Sequence, residues 1–272
     1  MKLEGKVALV TAGGAGIGRG ITLCLAEEGA DVIIADINKY SAQKVADEVK
    51  ALGRKSLALE ADITNSNRVA QVVEETLSAF GKIDILVNNV GSTAEAVGDR
   101  TKLQFANLEE WEWDKTIERN LKTQFLMCKA VVPHLQKQHS GKIVNVASIA
   151  AKRAFAPVNS YGPAKVGVLH FTLSLALELA KDNINVNCVC PGVVYTKALD
   201  NSTGVRMQYD PRPETKGMSA RDYFLKYSLQ RVPLGREQTP EDIGRAVVFF
   251  VSEDAKNITG QSLNIDGGMI PG

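Results

Sequence analysis

Cysteine, histidine and aromatic residues are scarce in this sequence. Only four of the 272 residues are cysteines, three are histidines, and aromatic residues make up 6%. A disulfide scaffold is shorter and denser in cysteine, and Cys188 and Cys190 stand two apart, as buried residues on one strand face do. His134 and His139 are five residues apart, whereas a helical metal pair needs four. The sequence therefore predicts neither a disulfide framework nor a catalytic metal.

A surplus of charge and a long apolar run are also missing. Lys and Arg total 32 against 31 for Asp and Glu, a net charge of +1, whereas binding to a phosphate backbone needs a basic excess. The apolar part of the N-terminal stretch is too short for a signal peptide or a membrane span, and no later run is long enough. We expect a soluble, cytoplasmic protein with no nucleic-acid and no membrane partner.

Short apolar runs alternate with amphipathic stretches along most of the chain. Such alternation predicts parallel strands joined by right-handed helical crossovers, with helices on both faces of the sheet. The expected strands are 6–11, 30–36, 56–62, 83–89, 141–148 and 184–190, and the expected helices are 17–29, 39–52, 66–80, 109–138, 159–182 and 240–252. The fold class is α/β, a doubly wound parallel sheet of the Rossmann type, in a single domain over residues 1–272.

Two stretches, 91–108 and 191–238, do not follow this alternation. Both begin where a predicted strand ends, and ligands of open α/β sheets bind beyond the carboxyl ends of the strands. Long irregular loops in a compact domain are usually functional. We therefore expect a substrate loop or lid in the region 191–238, and a small molecule as the substrate.

The stretch TAGGAGIGRG (11–20) follows the first predicted strand and opens the first helix. Its glycines allow a tight turn and a close approach to a pyrophosphate, and the helix N-terminus offers unpaired N–H groups. Asp36 ends the second predicted strand, where a carboxylate accepts hydrogen bonds from ribose hydroxyls and repels a 2′-phosphate. Because the first basic residue after Asp36 is Lys39, the sequence favours NAD over NADP.

Ser148, Tyr161 and Lys165 follow the fifth predicted strand. The offset of four places Tyr161 and Lys165 a turn apart on one helix face, so that the ammonium can lie near the phenol oxygen. A nearby cation, together with a positively charged nicotinamide, would lower the pKa of the phenol and make it a general base. Asn159 or Ser160 is the expected helix cap.

In several motifs the chain resembles the short-chain dehydrogenase/reductase family, in its compact single-domain branch. The resemblance extends from about Lys6 to Gly268, with every motif in family order. The matching elements are TAGGAGIG (11–18), Asp36, Asp62 in ADIT, NNVG (88–91), Asn120 in ERNL, Ser148, YGPAK (161–165), PGVVYT (191–196) and TGQSLNIDGG (259–268).

The resemblance implies a catalytic role for four residues. Tyr161 would be the acid/base, Lys165 would bind the nicotinamide ribose and lower the pKa of Tyr161, and Ser148 would hold the substrate oxygen. Asn120 would position a water that links Lys165 to solvent. By the same resemblance the dinucleotide-binding residues are Gly14, Gly16, Ile17, Gly18, Asp36, Asp62, Ile63, Asn89, Val90, Gly91, Tyr161, Lys165, Pro191, Gly192, Val193 and Thr196.

Two residues depart from the family pattern. Ala12 replaces the first glycine of the turn, and an alanine is acceptable there only if its backbone keeps a negative φ. Val90 replaces a small alanine beside the expected cofactor.

The substrate cannot be named from the sequence. Tyr223, Phe224 and Tyr227 could form the apolar underside of a lid, or could pack the loop onto the body or a second subunit. Arg206, Arg212 and Arg221 could bind an anionic group of the substrate, although loop arginines are more often solvated.

Three functions are compared at this stage. The first is an NAD-dependent dehydrogenase that oxidises a secondary alcohol or reduces the ketone. The second is an NADPH-dependent 3-oxoacyl-thioester reductase, against which Asp36 argues, and the third is a non-catalytic nucleotide sensor or scaffold. The apolar helices 109–138 and 159–182 and the family resemblance together predict a homo-oligomer, a tetramer or else a dimer.

Overall fold

A seven-stranded parallel sheet forms the centre of the molecule. The computed structural model describes residues 1–92, 105–154, 160–197, 199 and 212–271. The strand order is β3-β2-β1-β4-β5-β6-β7, and the strands are β1 Val7–Thr11, β2 Asp31–Asp36, β3 Ser56–Glu60, β4 Ile85–Asn88, β5 Gly141–Val146, β6 Ile184–Pro191 and β7 Ser262–Ile265. The predicted doubly wound α/β fold is confirmed, and β7 is a strand that the sequence patterns did not predict.

Helices cover both faces of this sheet. They are α1 Gly16–Glu27, α2 Lys39–Ala51, α3 Ser66–Phe80, α4 Glu110–Ile117, α5 Thr123–Gln138, α6 Tyr161–Leu179, α7 Ala220–Tyr223 and α8 Pro240–Val251. Alternate residues of β1 enter different cores: Ala8 and Val10 pack with α1, α2 and α8, whereas Val7 and Leu9 pack with α3, α5 and α6. Because successive side chains of a strand point to opposite faces of the sheet, β1 contributes to two hydrophobic cores.

Local capping fixes where several helices begin and end. The Asn38 side chain accepts a hydrogen bond from the Ser41 backbone N–H at the start of α2. Thr239 and Asp242 form a capping box at α8, and α3 ends at Gly81, which has a left-handed backbone conformation. These signals stand in the sequence, and the observed bounds of these three helices lie within two residues of the predicted ones.

The predicted helix 109–138 is not one regular α-helix. A π-helical turn, Glu118–Lys122, separates α4 from α5 and contains the buried residue Asn120. Such π-turns are rare and occur frequently at functional sites. The periodicity of the sequence did not predict this turn.

The sheet changes winding direction between β1 and β4. From β1 the chain proceeds outward to β2 and β3, and from β4 outward to β7 on the other side. Ligands of such sheets bind in the crevice at the carboxyl ends of the strands beside this switch point. No helix in the described ranges combines the length and the apolar character that crossing a bilayer requires.

Candidate active site

Asp36 ties the glycine turn to the start of α2. Its Oδ2 accepts a hydrogen bond from the backbone N–H of Gly14 at 2.9 Å, and its Oδ1 accepts from the N–H of Asn38 at 2.9 Å. A carboxylate offers about four acceptor positions, so two remain for other donors. The carboxylate therefore stands at the end of β2 as an acceptor that suits a ribose diol.

The glycine turn is packed against the end of β4. Asn89 donates from Nδ2 to the carbonyl oxygens of Thr11 and Ala12, at 3.2 and 3.1 Å. A Cβ on Gly18 would lie 2.6 Å from the same Nδ2 and would overlap the Ala12 carbonyl. Gly16 has φ +51°, a left-handed conformation that favours glycine. The turn therefore has its shape because no side chain occupies these positions.

Ala12 corrects one expectation from the sequence. Its φ is +49°, in the left-handed region, whereas the sequence argument required a negative angle. Because the backbone N–H of Ala12 donates to the Ala35 carbonyl and its own carbonyl accepts from Asn89, the turn holds this residue in a conformation that costs an L-residue about 1–2 kcal/mol.

The predicted adenine edge lies at the end of β3. Asp62 is exposed and its Oδ1 accepts hydrogen bonds from the backbone N–H and the hydroxyl of Thr64. Ile63 is only 4% exposed, and its side chain packs in the hydrophobic core. The side chain of Ile63 is therefore not available to contact an adenine.

Gly91, Asn120 and Lys165 meet beyond the end of β4. A Cβ on Gly91 would lie 2.7 Å from Oδ1 of Asn120 and 2.8 Å from Nζ of Lys165. The Asn120 Nδ2 donates to the carbonyls of Ser92 and Thr116, at 2.8 and 2.9 Å. Its buried Oδ1 has no hydrogen-bond partner in the part of the chain that the structure describes. A side chain at position 91 would therefore collide with both polar groups, and the glycine lets the Asn120 Oδ1 and the Lys165 Nζ lie close to the end of β4.

Ser148 and Tyr161 are hydrogen-bonded to one another at the end of β5. The Ser148 Oγ also accepts from the Ala150 N–H at 3.1 Å, which orients the hydroxyl. Burial raises the pKa of Tyr161 above its ordinary value, and the hydrogen bond from Ser148 opposes this shift. The sequence argument attributed a lowered pKa of Tyr161 to a nearby cation together with a bound, positively charged nicotinamide. In the protein alone, the pKa of Tyr161 is raised.

Lys165 is a buried cation with little countercharge. It is 3% exposed, its Nζ donates to the Val146 carbonyl at 3.0 Å, and the same Nζ lies 5.6 Å from the Tyr161 ring centroid. Burial lowers the pKa of Lys165 to about 8, with opposing effects from Cys188 and Cys190. Lys165 therefore lies beside Tyr161, as the spacing predicted, with its ammonium bonded to the strand carbonyl.

The PGVVYT motif lies at the end of β6. Pro191 is the last residue of the strand, and the N–H of Gly192 donates to the Ile265 carbonyl at 2.8 Å. A Cβ on Gly16 would lie 3.3 Å from Cγ2 of Thr196, so this loop touches the glycine turn. Val193 is half-buried in the same loop, and Val90 packs on the core beside β4.

The predicted site residues thus lie at one edge of the sheet. The four proposed catalytic residues and the glycine turn stand at the carboxyl ends of β1, β4, β5 and β6. Ser160 is the N-cap residue of α6 but its side chain makes no capping hydrogen bond, and the alternative cap, Asn159, lies outside the described residues. Among the described residues no group of His, Cys, Asp and Glu could hold a metal ion.

The segment after β6 uses its arginines internally. Arg221 forms two hydrogen bonds to Glu237 at 2.6 Å each, so it does not offer a free guanidinium to a substrate. The Arg212 guanidinium lies 3.7 Å from the Tyr227 ring centroid and donates to the Tyr223 hydroxyl at 3.2 Å. Arg206 lies outside the described residues.

The motif analysis did not identify one group of side chains near the end of β6. Its members are Tyr195, Phe224 and Glu237. Phe224 is 1% exposed, and its ring centroid lies 5.0 Å from that of Tyr195. Of the alternatives left open by the sequence for Phe224, the underside of a lid or packing of the loop onto the body, its burial favours the second. Its partner Tyr195 stands inside the PGVVYT motif, which is the one signal that could have found it.

Comparison with known proteins gives relatives over nearly the whole chain. A family model described as enoyl-(acyl carrier protein) reductase matches residues 11–270. The 3-oxoacyl-[acyl-carrier-protein] reductase FabG of Thermotoga maritima is 36% identical over 270 residues, which are 99% of this chain and 100% of the relative. The (2S)-[(R)-hydroxy(phenyl)methyl]succinyl-CoA dehydrogenase subunit BbsD of Thauera aromatica is 38% identical over 268 residues, 98% of each chain.

Solved structures give the same picture. A 7α-hydroxysteroid dehydrogenase complexed with NADH and 7-oxo glycochenodeoxycholic acid superposes with a TM-score of 0.84. It is 31% identical in sequence, and the match covers 98% of this chain and 95% of that one.

Proposed function

The chain belongs to the short-chain dehydrogenase/reductase family of oxidoreductases, and on that premise we propose that it interconverts a 3-oxoacyl and a 3-hydroxyacyl thioester with a nicotinamide dinucleotide. The observation that carries the redox chemistry is the meeting of Ser148, Tyr161 and Lys165 beside the glycine turn. The thioester is supported by relatives named for a 3-oxoacyl carrier-protein ester and for a hydroxyacyl-CoA.

Tyr161 is the proposed acid/base. During reduction its phenol donates a proton to the oxygen of the former ketone, and during oxidation the phenolate takes the proton from the hydroxyl. The Ser148 hydroxyl, already bonded to the phenol, holds the same substrate oxygen. The bound dinucleotide supplies or accepts the hydride.

Lys165 and Asn120 support Tyr161 in this proposal. The buried ammonium favours the phenolate electrostatically, and a nearby positive charge is the standard means of lowering a phenol pKa. A water held between the Lys165 ammonium and the Asn120 Oδ1, which accepts no hydrogen bond from the described residues, would hydrogen-bond both. This arrangement gives the proton a route away from Tyr161, and a purely nucleotide-sensing protein would not need it.

For the cofactor we propose NAD(H). The Asp36 carboxylate faces the glycine turn, and among the described residues no cationic side chain contacts it. A 2′-phosphate at this position would bring two negative groups together without a compensating charge. The alternative is an NADPH-dependent reductase, in which the 2′-phosphate would have to lie away from Asp36.

A second candidate is an NAD-dependent dehydrogenase of cyclic secondary alcohols. It is favoured by the structural likeness to the 7α-hydroxysteroid dehydrogenase, whose complex contains NADH and a 7-oxo steroid. The same four residues would serve both reactions, and only the substrate differs.

The experiment compares substrates and cofactors in one matrix. Oxidation of NADH and of NADPH is followed by the loss of absorbance at about 340 nm. The substrates are a short 3-oxoacyl-CoA, the corresponding carrier-protein ester and a cyclic ketone. We expect the fastest turnover with NADH and a thioester, and Asp36→Ala should reduce the NADH preference by about tenfold or more, since one charge repulsion is worth roughly 1–2 kcal/mol. Turnover of the cyclic ketone alone would favour the second candidate, and NADPH preference in the wild type would overturn the cofactor proposal.

We also propose that the chain forms a homo-oligomer through α5 and α6. Phe125, Val166, Leu173 and Leu177 are apolar residues on these helices, between 45% and 84% exposed. Contiguous exposed apolar side chains are typical of protein interfaces. Light scattering should give a multiple of 29.3 kDa for the wild type and a smaller mass for Leu177→Glu.

A further inference from the structure

Four side chains join the segment after β6 to the loop that contains PGVVYT. We call them the Arg221 cluster, and they are Tyr195, Arg221, Phe224 and Glu237. The guanidinium of Arg221 lies 4.5 Å from the Tyr195 ring centroid and 5.5 Å from the Phe224 ring centroid. Both terminal nitrogens of the same guanidinium donate to the Glu237 carboxylate. Arg221 is thus fixed in its plane by Glu237 while its face lies on the rings.

The cluster contributes more to geometry than to overall stability. The Arg221 and Glu237 side chains are 41% and 29% exposed, and ion pairs in contact with solvent stabilise a fold by only about 0–1 kcal/mol. A bidentate guanidinium–carboxylate pair, by contrast, fixes orientation strongly. Loss of the pair should therefore leave the protein folded and release the Tyr195 ring.

Tyr195 connects this cluster to the glycine turn. Its neighbour Val194 pairs with Gln238 in a parallel bridge, which places Glu237 beside the loop. Its other neighbour, Thr196, makes the close approach to Gly16 described above. Displacement of Tyr195 would therefore move Thr196 relative to the turn that receives the dinucleotide.

We propose that Arg221 and Glu237 are positioning residues that set dinucleotide affinity by holding Tyr195, and through it Thr196, against the glycine turn. The inference rests on the proposed function in one respect, namely that a dinucleotide binds at this turn. It adds that two residues outside the family's motifs control that binding as one unit.

The test measures NADH binding by fluorescence in three variants of the full chain. These are Arg221→Met, which keeps the apolar stem on the rings, Glu237→Gln, which keeps the shape without the charge, and the double variant. We expect each single variant to raise the Kd for NADH about tenfold, and the double variant to be no weaker than either single one. The kcat at saturating NADH should stay within about twofold, because the catalytic residues are untouched.

Arg245→Met is the matched control. Arg245 pairs with Glu27 at 3.0 Å on the surface, with both side chains more exposed than those of the Arg221 pair. Its removal should leave the Kd for NADH unchanged, as should any variant that alters stability alone.

Three results would overturn the inference. An unchanged Kd in both single variants, with or without a fall in melting temperature, would leave the pair with a structural role only. Additive effects in the double variant would mean that the two residues do not act together. If the wild type itself bound neither NADH nor NADPH, the proposed function would fail first, and this inference with it.

Discussion

The glycine turn and the segment 212–238 are held in place by different kinds of contact, mainly backbone contacts at the turn and side-chain contacts in the segment. At the turn, backbone groups and one carboxylate make the contacts: Asp36 binds the Gly14 N–H, and Gly18 touches the Ala12 carbonyl. In the segment 212–238, long side chains make the contacts: Arg221 hydrogen-bonds Glu237, and the Arg212 guanidinium packs on the Tyr227 ring. Backbone contacts exclude side chains and so leave glycines in the sequence, whereas side-chain contacts can be made by many residue combinations.

The largest effect should follow from filling the glycine turn. In Gly18→Ala the new methyl group would overlap the Ala12 carbonyl, and a backbone atom cannot move aside cheaply. We expect a loss of about 3 kcal/mol or more in the free energy of unfolding, together with the loss of measurable NADH binding. Urea unfolding and NADH fluorescence check both values.

Gly217→Ala is the counterpart in the other region. Gly217 has φ +80°, and a Cβ there would have no neighbour within 4 Å. This variant should lose only about 1 kcal/mol through backbone strain and should bind NADH normally. Equal effects of the two substitutions would show that the two regions tolerate change alike, against the comparison drawn above.

A smaller effect is expected from the pH dependence of stability at Lys165. In the cofactor-free protein burial lowers the pKa of Lys165 to about 8 from 10.5. Between these values the unfolded chain binds more protons than the folded one, so the free energy of unfolding rises with pH across this window. Relative to Lys165→Met, the wild type should gain on the order of 2–3 kcal/mol between pH 7.5 and 10.

Urea unfolding at several pH values measures this gain. Lys44→Met, at an exposed position of α2, serves as the control and should run parallel to the wild type. Parallel curves for Lys165→Met as well would contradict the account of Lys165 as a buried cation.

The smallest effect concerns Ala12. Because its φ is +49°, Ala12→Gly should relieve strain that exceeds the entropy cost of glycine and stabilise the protein by about 0.5–1 kcal/mol. Ala12→Val should destabilise it, since β-branched residues fit this conformation worst. A thermal denaturation series that ranked valine above glycine would place the strain elsewhere.

The sequence predicted the parts of the molecule that depend on local patterns. Strands β1 to β6 follow from apolar runs of strand length. Strand β7 was missed because SLNI is short and contains two polar residues, Ser262 and Asn264. The π-turn was missed because its residues Glu118–Lys122 continue the helical pattern on either side.

The candidate site divides in the same way. The convergence of four site residues could be predicted from their sequence spacing relative to the glycine turn and the strand ends. These residues are Asp36, Ser148, Tyr161 and Lys165. The pairing of Arg221 with Glu237 joins two positions in irregular backbone, where no periodicity relates one residue to the other. The left-handed angle at Ala12 depends on contacts with Ala35 and Asn89, which are distant in sequence.

The most direct test of the central claim is turnover and NADH binding by Tyr161→Phe. If Tyr161 is the acid/base, the variant should lose about 10²–10⁴-fold in kcat on the best substrate of the matrix. Its Kd for NADH should stay within about twofold, because the phenol oxygen is needed for the proton and the ring remains. Turnover within tenfold of the wild type, or a parallel loss of NADH binding, would contradict the role assigned to Tyr161.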